Sequence, residues 1–308
     1  MPTPKTVEFM RHFDGVPESN IKVKVREVFT VPYYRHGVEK PGDPKTSDEV
    51  VRSPLKQFNI PEEVLLAGQR EIQTKRFTPE YLLNLEGLRV ENQAVVVEAN
   101  LVNYGVVPST RAIAPLFPEE IIRPVLDQVA PIAVRGVLVS DEHGSIYFGR
   151  RANVDCSGRI ETFPAGSVSE GENLTEALRK EAKEEAGMEL GKDGEARLIS
   201  LIRGRTIDTN PNFVYMIQTP WSIQKVEESL GKEHDKVYSI RLDEKILRDR
   251  LLNDFIVPTN NHDSMTETSI GGVLEVGRIV FGTNWYNDTL NSLRGAGYAI
   301  MEPAAISQ

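Results

Sequence analysis

The chain has 308 residues, of which 40% are hydrophobic and 26% are charged, a composition typical of globular proteins in solution. Its formal net charge of −9 argues against binding along a nucleic-acid backbone, which requires clustered lysine and arginine. No apolar run has the length of a membrane span, the first residues lack the apolar core of a signal peptide, and the single cysteine excludes an internal disulfide framework. We therefore expect a cytoplasmic protein with neither nucleic acid nor a membrane as its partner.

Residues 1–125 are predicted to form a separate N-terminal region that mixes strands and helices. The alternating residues 21–31 and the valine-rich residues 88–102 are typical of strands. A polar, proline-punctuated stretch at residues 33–54 predicts a long loop. Helices are predicted at residues 61–71, 78–85 and 118–129. This α+β region carries no motif that assigns it a role.

Residues 126–308 are predicted to form a second domain in which strands and helices alternate. Strands are predicted at residues 132–140, 145–151, 196–201, 212–218 and 237–242. Helices are predicted at residues 174–186, 224–230, 243–252 and 285–294, and a loop at residues 259–267. This alternation predicts the α/β class, with a curved mixed sheet between layers of helices.

Three glutamates on the predicted helix at residues 174–186 give the strongest functional signal. At about 100° per residue, the apolar side chains of this helix gather on one face, which should pack on a core. Glu181, Glu184 and Glu185 fall within roughly 100° of arc that overlaps the apolar face. Neighbouring carboxylates repel one another, and holding them partly out of water is costly unless a cation neutralises them. Mg²⁺ or Mn²⁺, bound by oxygens, is the natural partner. The alternative is an ordinary solvated helix rich in Glu and Lys.

The residues around this helix complete a longer motif. Gly166 opens a tight loop, Glu172 stands at the helix entrance, and Gly187 follows the last helical residue. The stretch 166–188 resembles the signature of the Nudix hydrolases, G-x5-E-x7-R-E-U-x-E-E-x-G-U, in which U is apolar. One position departs from it, because Lys180 stands where the family has arginine. Lysine lacks the planar fork of arginine, so it attracts a glutamate but positions it less well.

The resemblance implies a Nudix-like α/β/α sandwich and a metal-dependent pyrophosphohydrolase. In this family the motif glutamates bind divalent cations, and water attacks a diphosphate that is linked to another group. Glu181, Glu184 and Glu185 are thereby implied as metal ligands, with Glu184 second in rank. Glu172 is expected to orient the attacking water or a neighbouring side chain. Bound metal would polarise phosphorus and lower the pKa of the water.

The general base is expected in the segment at residues 227–236, which precedes a predicted strand. Family members often draw the base from such a loop, and Glu233 is the best candidate, followed by His234 and Asp235. The alternative is a solvated charged loop, in which His234 would be an ordinary exposed histidine.

Arginines near the motif are candidates for holding the substrate phosphates. Arg150 and Arg151 end a predicted strand that leads towards the motif, and one of the two must face away if the strand alternates. Arg203 follows a later predicted strand and is a comparable candidate. The alternative for each of them is an ordinary surface arginine.

The substrate class is predicted from the resemblance and from the chemistry of the acids. Residues 148–166 are similar to the approach to the motif in members that cleave coenzyme A or UDP-sugars, and the leading prediction is a nucleoside diphosphate linked to a sugar. The alternative is a ligand-sensing Nudix domain with weak or no hydrolysis, for which Lys180 leaves room. An isomerase of isoprenoid diphosphates shares the fold but needs metal-binding histidines besides a cysteine, and Cys156 alone does not supply that set. The N-terminal region is expected either to complete the substrate pocket or to mediate a homodimer.

Overall fold

The computed structural model describes residues 6–29, 81–103, 116–152, 158–205, 209–253 and 265–303. The loop predicted at residues 33–54, the helix predicted at residues 61–71 and Cys156 lie outside these ranges. Within the described ranges, no helix is both long enough and apolar enough to cross a membrane.

The described residues alternate between strands and helices, and most predicted elements are confirmed with ends shifted by a few residues. The strands are β1 (Thr6–Val16), β2 (Ile21–Phe29), β3 (Tyr81–Glu91), β4 (Ala94–Asn103), β5 (Ala133–Ser140), β6 (Ser145–Arg151), β7 (Ile160–Glu161), β8 (Ala165–Ser167), β9 (Glu195–Gly204), β10 (Pro211–Thr219), β11 (His234–Arg241) and β12 (Ala299–Met301). The helices are α1 (Glu119–Gln128), α2 (Leu174–Ala186), α3 (Ile223–Ser229), α4 (Glu244–Asn253), α5 (Glu267–Phe281) and α6 (Thr283–Gly295).

Most strands join one large mixed sheet in the order β11-β6-β5-β10-β9-β1-β12, with β7 beside β6 and β8 beside β5. β5 and β10 are parallel, whereas β5 pairs with β6 and β8, and β10 with β9, in antiparallel fashion. β1 pairs antiparallel with β9 and parallel with β12. The division of the chain between residues 125 and 126 stays a prediction, but the large sheet takes strands from both sides of it.

Helices cover both faces of the large sheet and enclose two hydrophobic cores. Every residue of β5 is buried, and alternate side chains point to opposite faces, as expected for a strand covered on both sides. Val134 and Leu138 join the core that contains Leu178 of α2. Val137 joins the other core, which contains Val273 of α5. The predicted α/β class and the α/β/α sandwich are therefore confirmed.

A second, three-stranded sheet has the order β2-β4-β3 and lies against the loop that precedes α2. The Leu83 N–H donates to the Val168 carbonyl at 2.9 Å, and the Glu170 N–H donates to the Tyr81 carbonyl at 2.8 Å. The buried Asn84 side chain accepts a hydrogen bond from the Ala130 N–H at 2.6 Å. The loop of the glutamate motif is thus hydrogen-bonded to a strand from the N-terminal region.

Two predictions of secondary structure are wrong. Residues 81–85 belong to strand β3, although the proline-led pattern predicts a helix at residues 78–85. Pairing with β4 and with the motif loop satisfies the backbone of β3, a tertiary effect that outweighs local propensity. Glu267 begins α5 instead of ending the loop predicted at residues 259–267. Two adjacent glycines and several β-branched residues weaken the helical pattern of α5, which is stabilised by burial on all sides over its first three turns.

Candidate active site

The helix that carries the three glutamates is fixed at both ends. The Asn173 side chain accepts hydrogen bonds from the Thr175 and Glu176 N–H groups at 3.0 and 2.9 Å. In return the Glu176 carboxylate accepts one from the Asn173 N–H at 2.9 Å, which completes a capping box. Gly187 ends the helix with a φ of 63°, in the left-handed region that favours glycine. α2 spans the predicted residues and holds its glutamates on one rigid element.

Glu185 and Glu181 face the short strand β8. Glu185 is 2% exposed, and its Oε2 accepts a hydrogen bond from the Ala165 N–H at 3.2 Å. Glu181 lies directly against Gly166, where an added Cβ atom would be 2.2 Å from the Glu181 carboxyl carbon. A side chain at residue 166 would therefore displace Glu181. The two carboxyl groups lie one helical turn apart on the same edge of α2.

Burial disfavours the ionised form of both of these carboxyl groups. Burial raises the pKa of Glu181 to about 7, opposed by the charge of Lys180 and reinforced by the neighbouring acids. Burial, followed by the charge of Glu161, raises the pKa of Glu185 well above its usual range. Their ionised forms are costly without a counter-charge, and a cation between them would offset that cost.

Glu184 and Glu172 differ in their exposure to solvent. Glu184 is exposed on α2, and Glu172 is half-buried before the helix. Glu172 Oε2 accepts a hydrogen bond from the Ser169 N–H at 3.0 Å, and Lys180 Nζ is 3.8 Å from Glu172 Oε1. Lys180 thus faces Glu172 as a point charge, without the forked contact that an arginine can make.

Glu233 lies at the edge of the glutamate cluster. It directly precedes β11, and its side chain is 45% exposed. Its charge contributes to the raised pKa of both Glu181 and Glu185, so the three carboxyl groups are within electrostatic reach of one another. The Glu233 Oε2 atom is also 3.9 Å from Arg151 Nη2. The role of Glu233 as general base stays a prediction.

A buried ionic network that was not predicted lies beside Glu185. Glu161 is 1% exposed and accepts hydrogen bonds from Arg135 Nη1 at 3.1 Å and Arg151 Nη1 at 2.8 Å. His234 Nε2 is 3.2 Å from Glu161 Oε1. Burial alone would raise the pKa of Glu161, but Arg135, His234 and Arg151 together lower it to about 2. Glu161 is therefore ionised and can only accept, so we assign the donated proton to His234 Nε2.

The sequence contains one sign of this network, the arginine at residue 135. The sequence-based interpretation of His234 is wrong. Arg135 interrupts an otherwise apolar strand, and a buried arginine requires an acidic partner. Glu161 is that partner. The interpretation of His234 as an exposed loop histidine is wrong, because this residue begins β11 and its side chain is fully buried.

The three arginines predicted to hold substrate phosphates have different surroundings. Arg151 belongs to the buried network beside the glutamates. Arg150 donates to both carboxylate oxygens of Asp235, each at 2.8 Å. Arg203 is buried and donates to Asp127 at 2.8 Å and to two backbone carbonyls. The structure thus brings Arg151 to the glutamates, and the substrate-binding role of all three stays a prediction.

The acidic cluster has the oxygen ligands that a hard divalent cation needs, but they are not gathered around one point. In the ranges that the structure describes, no three His, Cys, Asp or Glu side chains are grouped closely enough to hold a metal ion as they stand. Glu181 and Glu185 nevertheless offer carboxylates whose ionised forms are disfavoured by burial and by neighbouring acids. These residues fit Mg²⁺ or Mn²⁺, with the remaining coordination positions supplied by water or substrate.

Comparison with known proteins agrees with this geometry. Residues 130–244 match the family model of the NUDIX domain. The chain carries a Nudix domain. The match contains Glu161, the whole glutamate motif and the Glu233–His234 pair, and the predicted resemblance to the Nudix hydrolases is confirmed. The predicted enzyme class, a Nudix-type pyrophosphohydrolase, is confirmed at the level of the family. A comparison with curated proteins found no match.

Several solved structures resemble part of the chain. The dihydroneopterin triphosphate pyrophosphohydrolase of E. coli is 13% identical, with 49% of this chain and 95% of that one covered and a TM-score of 0.32. The MutT protein of Methanosarcina mazei is 16% identical, with 54% and 94% covered and a TM-score of 0.29. A bifunctional NMN adenylyltransferase/ADP ribose pyrophosphatase of Francisella tularensis is 12% identical, with 57% and 46% covered and a TM-score of 0.34.

Proposed function

We propose that the Nudix domain hydrolyses a diphosphate linkage in a nucleoside diphosphate derivative, with a nucleoside diphosphate sugar as the leading substrate class. The observation that supports this most is a pair of carboxyl groups with raised pKa values on one edge of α2, the half-buried Glu181 and the buried Glu185. Carboxyl groups with strongly raised pKa values are concentrated at functional sites, and binding Mg²⁺ or Mn²⁺ is the use that these oxygens suit best.

Glu181 and Glu185 are proposed as the principal metal ligands, and the exposed Glu184 as a further one. A divalent cation held by these residues would polarise the phosphorus and lower the pKa of the attacking water. Glu172 is proposed to orient that water, since the Ser169 N–H holds its Oε2 atom in place. The same cation would reduce the repulsion between the acidic site and the anionic substrate.

Glu233 is proposed as the general base. Its exposed carboxylate lies within electrostatic reach of the two ligands, where it can accept a proton from water. The water oxygen forms a bond to phosphorus while the bridging P–O bond breaks, and the bridging oxygen leaves on the second phosphate. A sugar-linked substrate would therefore yield a nucleoside monophosphate and a sugar phosphate. Arg151, beside Glu161, is the best placed of the three arginines to contact the substrate.

The small N-terminal sheet is proposed to cover one side of the substrate pocket. Its strand β3 is hydrogen-bonded to the loop that leads into α2. β3 therefore lies next to the motif loop. The alternative role, formation of a homodimer, predicts a dimer at micromolar concentration in analytical ultracentrifugation.

The test is a product analysis with nucleoside diphosphate sugars, dinucleotides and coenzyme A derivatives in the presence of Mg²⁺ or Mn²⁺. We expect turnover of at least one class, and a loss of about a hundredfold or more in Glu185→Gln. Glu189→Gln, which removes an exposed charge just beyond α2, is the matched control. Full activity of Glu185→Gln would refute the proposed site. If none of these substrates is hydrolysed although ligands still bind, the ligand-sensing alternative would be favoured.

A further inference from the structure

We infer that the chain has a second ligand site, for a small aromatic carboxylate or phosphate, in a cavity on the other flank of α2 from the acidic cluster. The cavity has a volume of about 430 Å³, within the range of cavities that bind small molecules. It lies between α2, the end of β1, the segment before β9, and the strands β9 and β10. The inference is independent of the proposed hydrolysis, because none of the proposed metal ligands lines this cavity.

Helical geometry separates the cavity from the acidic cluster. Thr175 and Arg179 line the cavity, and at about 100° per residue they lie roughly 120° around the axis of α2 from Glu181 and Glu185. The two acids face β8, which pairs with β5. The cavity is lined instead from β10, β9 and β1, which follow β5 in the order of the sheet. Opposite flanks of the same helix therefore contribute to the two sites.

A buried hydroxyl group that lacks a hydrogen bond lines the cavity. Tyr215 is 1% exposed, and its hydroxyl makes no hydrogen bond of ordinary length and angle to any described residue. Burial raises the pKa of Tyr215, and the nearby Thr175 side chain lowers it by less. The hydroxyl therefore keeps its proton at neutral pH and can donate to a ligand. Because buried polar atoms are rarely left without a partner, this group indicates where a ligand would bind.

An arginine with free donors gives the cavity its preference for an anion. Arg197 Nη2 is 3.9 Å from Glu195 Oε2, which is too long for a hydrogen bond. Its guanidinium therefore retains donors that a carboxylate or phosphate can use. Glu18 is already paired, because Arg179 donates to it at 2.6 Å. Glu195 is 77% exposed, so solvent screens its repulsion of a bound anion.

The remaining walls of the cavity suit a flat apolar body. Leu190 and Pro17 supply apolar surface, and Gly15 supplies backbone without a side chain. An added Cβ atom at Gly15 would be 3.7 Å from Arg197 Cδ, so the stem of this arginine packs against the glycine. Guanidinium groups stack on aromatic faces as well as pairing with anions. An aromatic ring that bears one anionic group therefore matches both the walls and the donors.

Two substitutions remove the groups that such a ligand would contact. Tyr215→Phe removes the hydroxyl and keeps the ring. Its matched control is Tyr147→Phe, because Tyr147 belongs to the same core but its hydroxyl donates to the Trp221 carbonyl at 2.9 Å. Arg197→Gln removes the positive charge, and its control is Arg241→Gln, which changes an exposed arginine outside the cavity.

Binding is measured on the full chain in EDTA, by titration with benzoate and with phenyl phosphate while the methyl resonances of Leu190 are followed. Benzyl alcohol lacks the charge and inorganic phosphate lacks the ring, so these two compounds are the control ligands. We expect at least one aromatic anion to bind more tightly than both control ligands. Benzoate and phenyl phosphate together show whether a carboxylate or a phosphate is preferred.

The variants should separate this cavity from the acidic cluster. We expect Tyr215→Phe to weaken binding of the aromatic anion about two- to tenfold, the effect of one hydrogen bond, and Arg197→Gln to weaken it about tenfold. Both control variants and Glu185→Gln should bind it as the wild type does. Tyr215→Phe should also unfold at no lower urea concentration than the wild type, because it loses no hydrogen bond within the chain.

Four results would overturn the inference while leaving the proposed hydrolysis intact. The first is the absence of any shift of the Leu190 resonances at millimolar concentrations of both aromatic anions. The second is unchanged affinity in both Tyr215→Phe and Arg197→Gln. The third is loss of affinity in Glu185→Gln, which would place the ligand at the acidic cluster. The fourth is a clear loss of stability in Tyr215→Phe, which would show that the hydroxyl already has a partner within the chain.

Discussion

Replacement of Glu181 by glutamine should make the metal-free protein more stable at pH 8 but not at pH 4.5. The pKa of Glu181 is raised to about 7 from its ordinary value of 4.5, chiefly by burial. The unfolded chain therefore releases this proton at a lower pH than the folded chain does. As the pH rises from 4.5 to 7, ionisation of Glu181 favours unfolding progressively, and above pH 7 the loss of stability is complete. Glutamine does not titrate and escapes this loss.

The size of the effect follows from the same pKa. A rise from 4.5 to about 7 corresponds to ~3 kcal/mol, at about 1.4 kcal/mol for each pH unit. Glu181 is half-buried, so contact with solvent screens part of this energy, and we expect about 1–2 kcal/mol. A gain of that size is typical when a residue needed for function is removed from an active site.

The assay is urea unfolding in EDTA at pH 4.5 and pH 8, with Glu189→Gln as the matched change of an exposed charge. Addition of Mn²⁺ at pH 8 should reverse the order, because the wild type gains binding energy that Glu181→Gln lacks. Equal stability of the variant and the wild type at pH 8 would refute the account of Glu181 as an acid whose ionised form is disfavoured in the folded chain. A gain of the same size at pH 4.5 would refute it as well, because the effect would then have another origin.

Three further predictions concern the motif. In Gly166→Ala the new Cβ atom would meet the Glu181 carboxyl group at 2.2 Å, so we expect metal-dependent activity to be lost while the cooperative unfolding in EDTA is kept; normal kcat/KM would contradict this. Lys180→Arg should raise kcat/KM, but no more than about fivefold, because the contact with Glu172 is exposed and such pairs contribute about 0–1 kcal/mol. Asn173→Ala removes the helix cap and should lower the free energy of unfolding by about 1 kcal/mol in urea titrations; a change within error would show that the cap contributes nothing.

The motif helix was predictable because its determinants are local. Its cap, its apolar face and the glycine at its end all lie within the stretch that forms it, and α2 has the predicted residues. The overlap of Glu181 and Glu185 with the apolar face likewise follows from helical geometry, and the structure places both against β8. Where residues close in the sequence determine the structure, the sequence pattern was sufficient to predict it.

The elements that were missed depend on distant parts of the chain. Strand β1 was not predicted, and it is held between β9 and β12, which both lie far from it in the sequence. In α5, Gly271 reads as a helix breaker, but an added Cβ atom there would be 2.8 Å from Ile202 of β9. The glycine is needed for close packing of helix and sheet, and a sequence pattern does not reveal what packs against it.

Only the part of the candidate site that the glutamate motif forms was predictable from the sequence. Arg135, Glu161 and His234 are far apart in the sequence, and each has an ordinary interpretation by itself. Their contact depends on the register of β5, β6, β7 and β11 in the large sheet. The apolar surroundings of Arg135 were the one local sign that a buried acid must lie nearby.

The lysine that departs from the family signature at residue 180 is expected to affect the positioning of the acidic residues less than the buried network around Glu161 does. The Lys180–Glu172 pair is separated by 3.8 Å and is partly exposed, so its contribution to positioning is small. Glu161, by contrast, is buried with two arginines, and loss of one partner in such a pair typically costs about 3–5 kcal/mol. This network lies beside Glu185, a proposed metal ligand, and does not involve Lys180. A lysine at residue 180 is then compatible with a fully organised site, which is why only a modest gain is expected from Lys180→Arg.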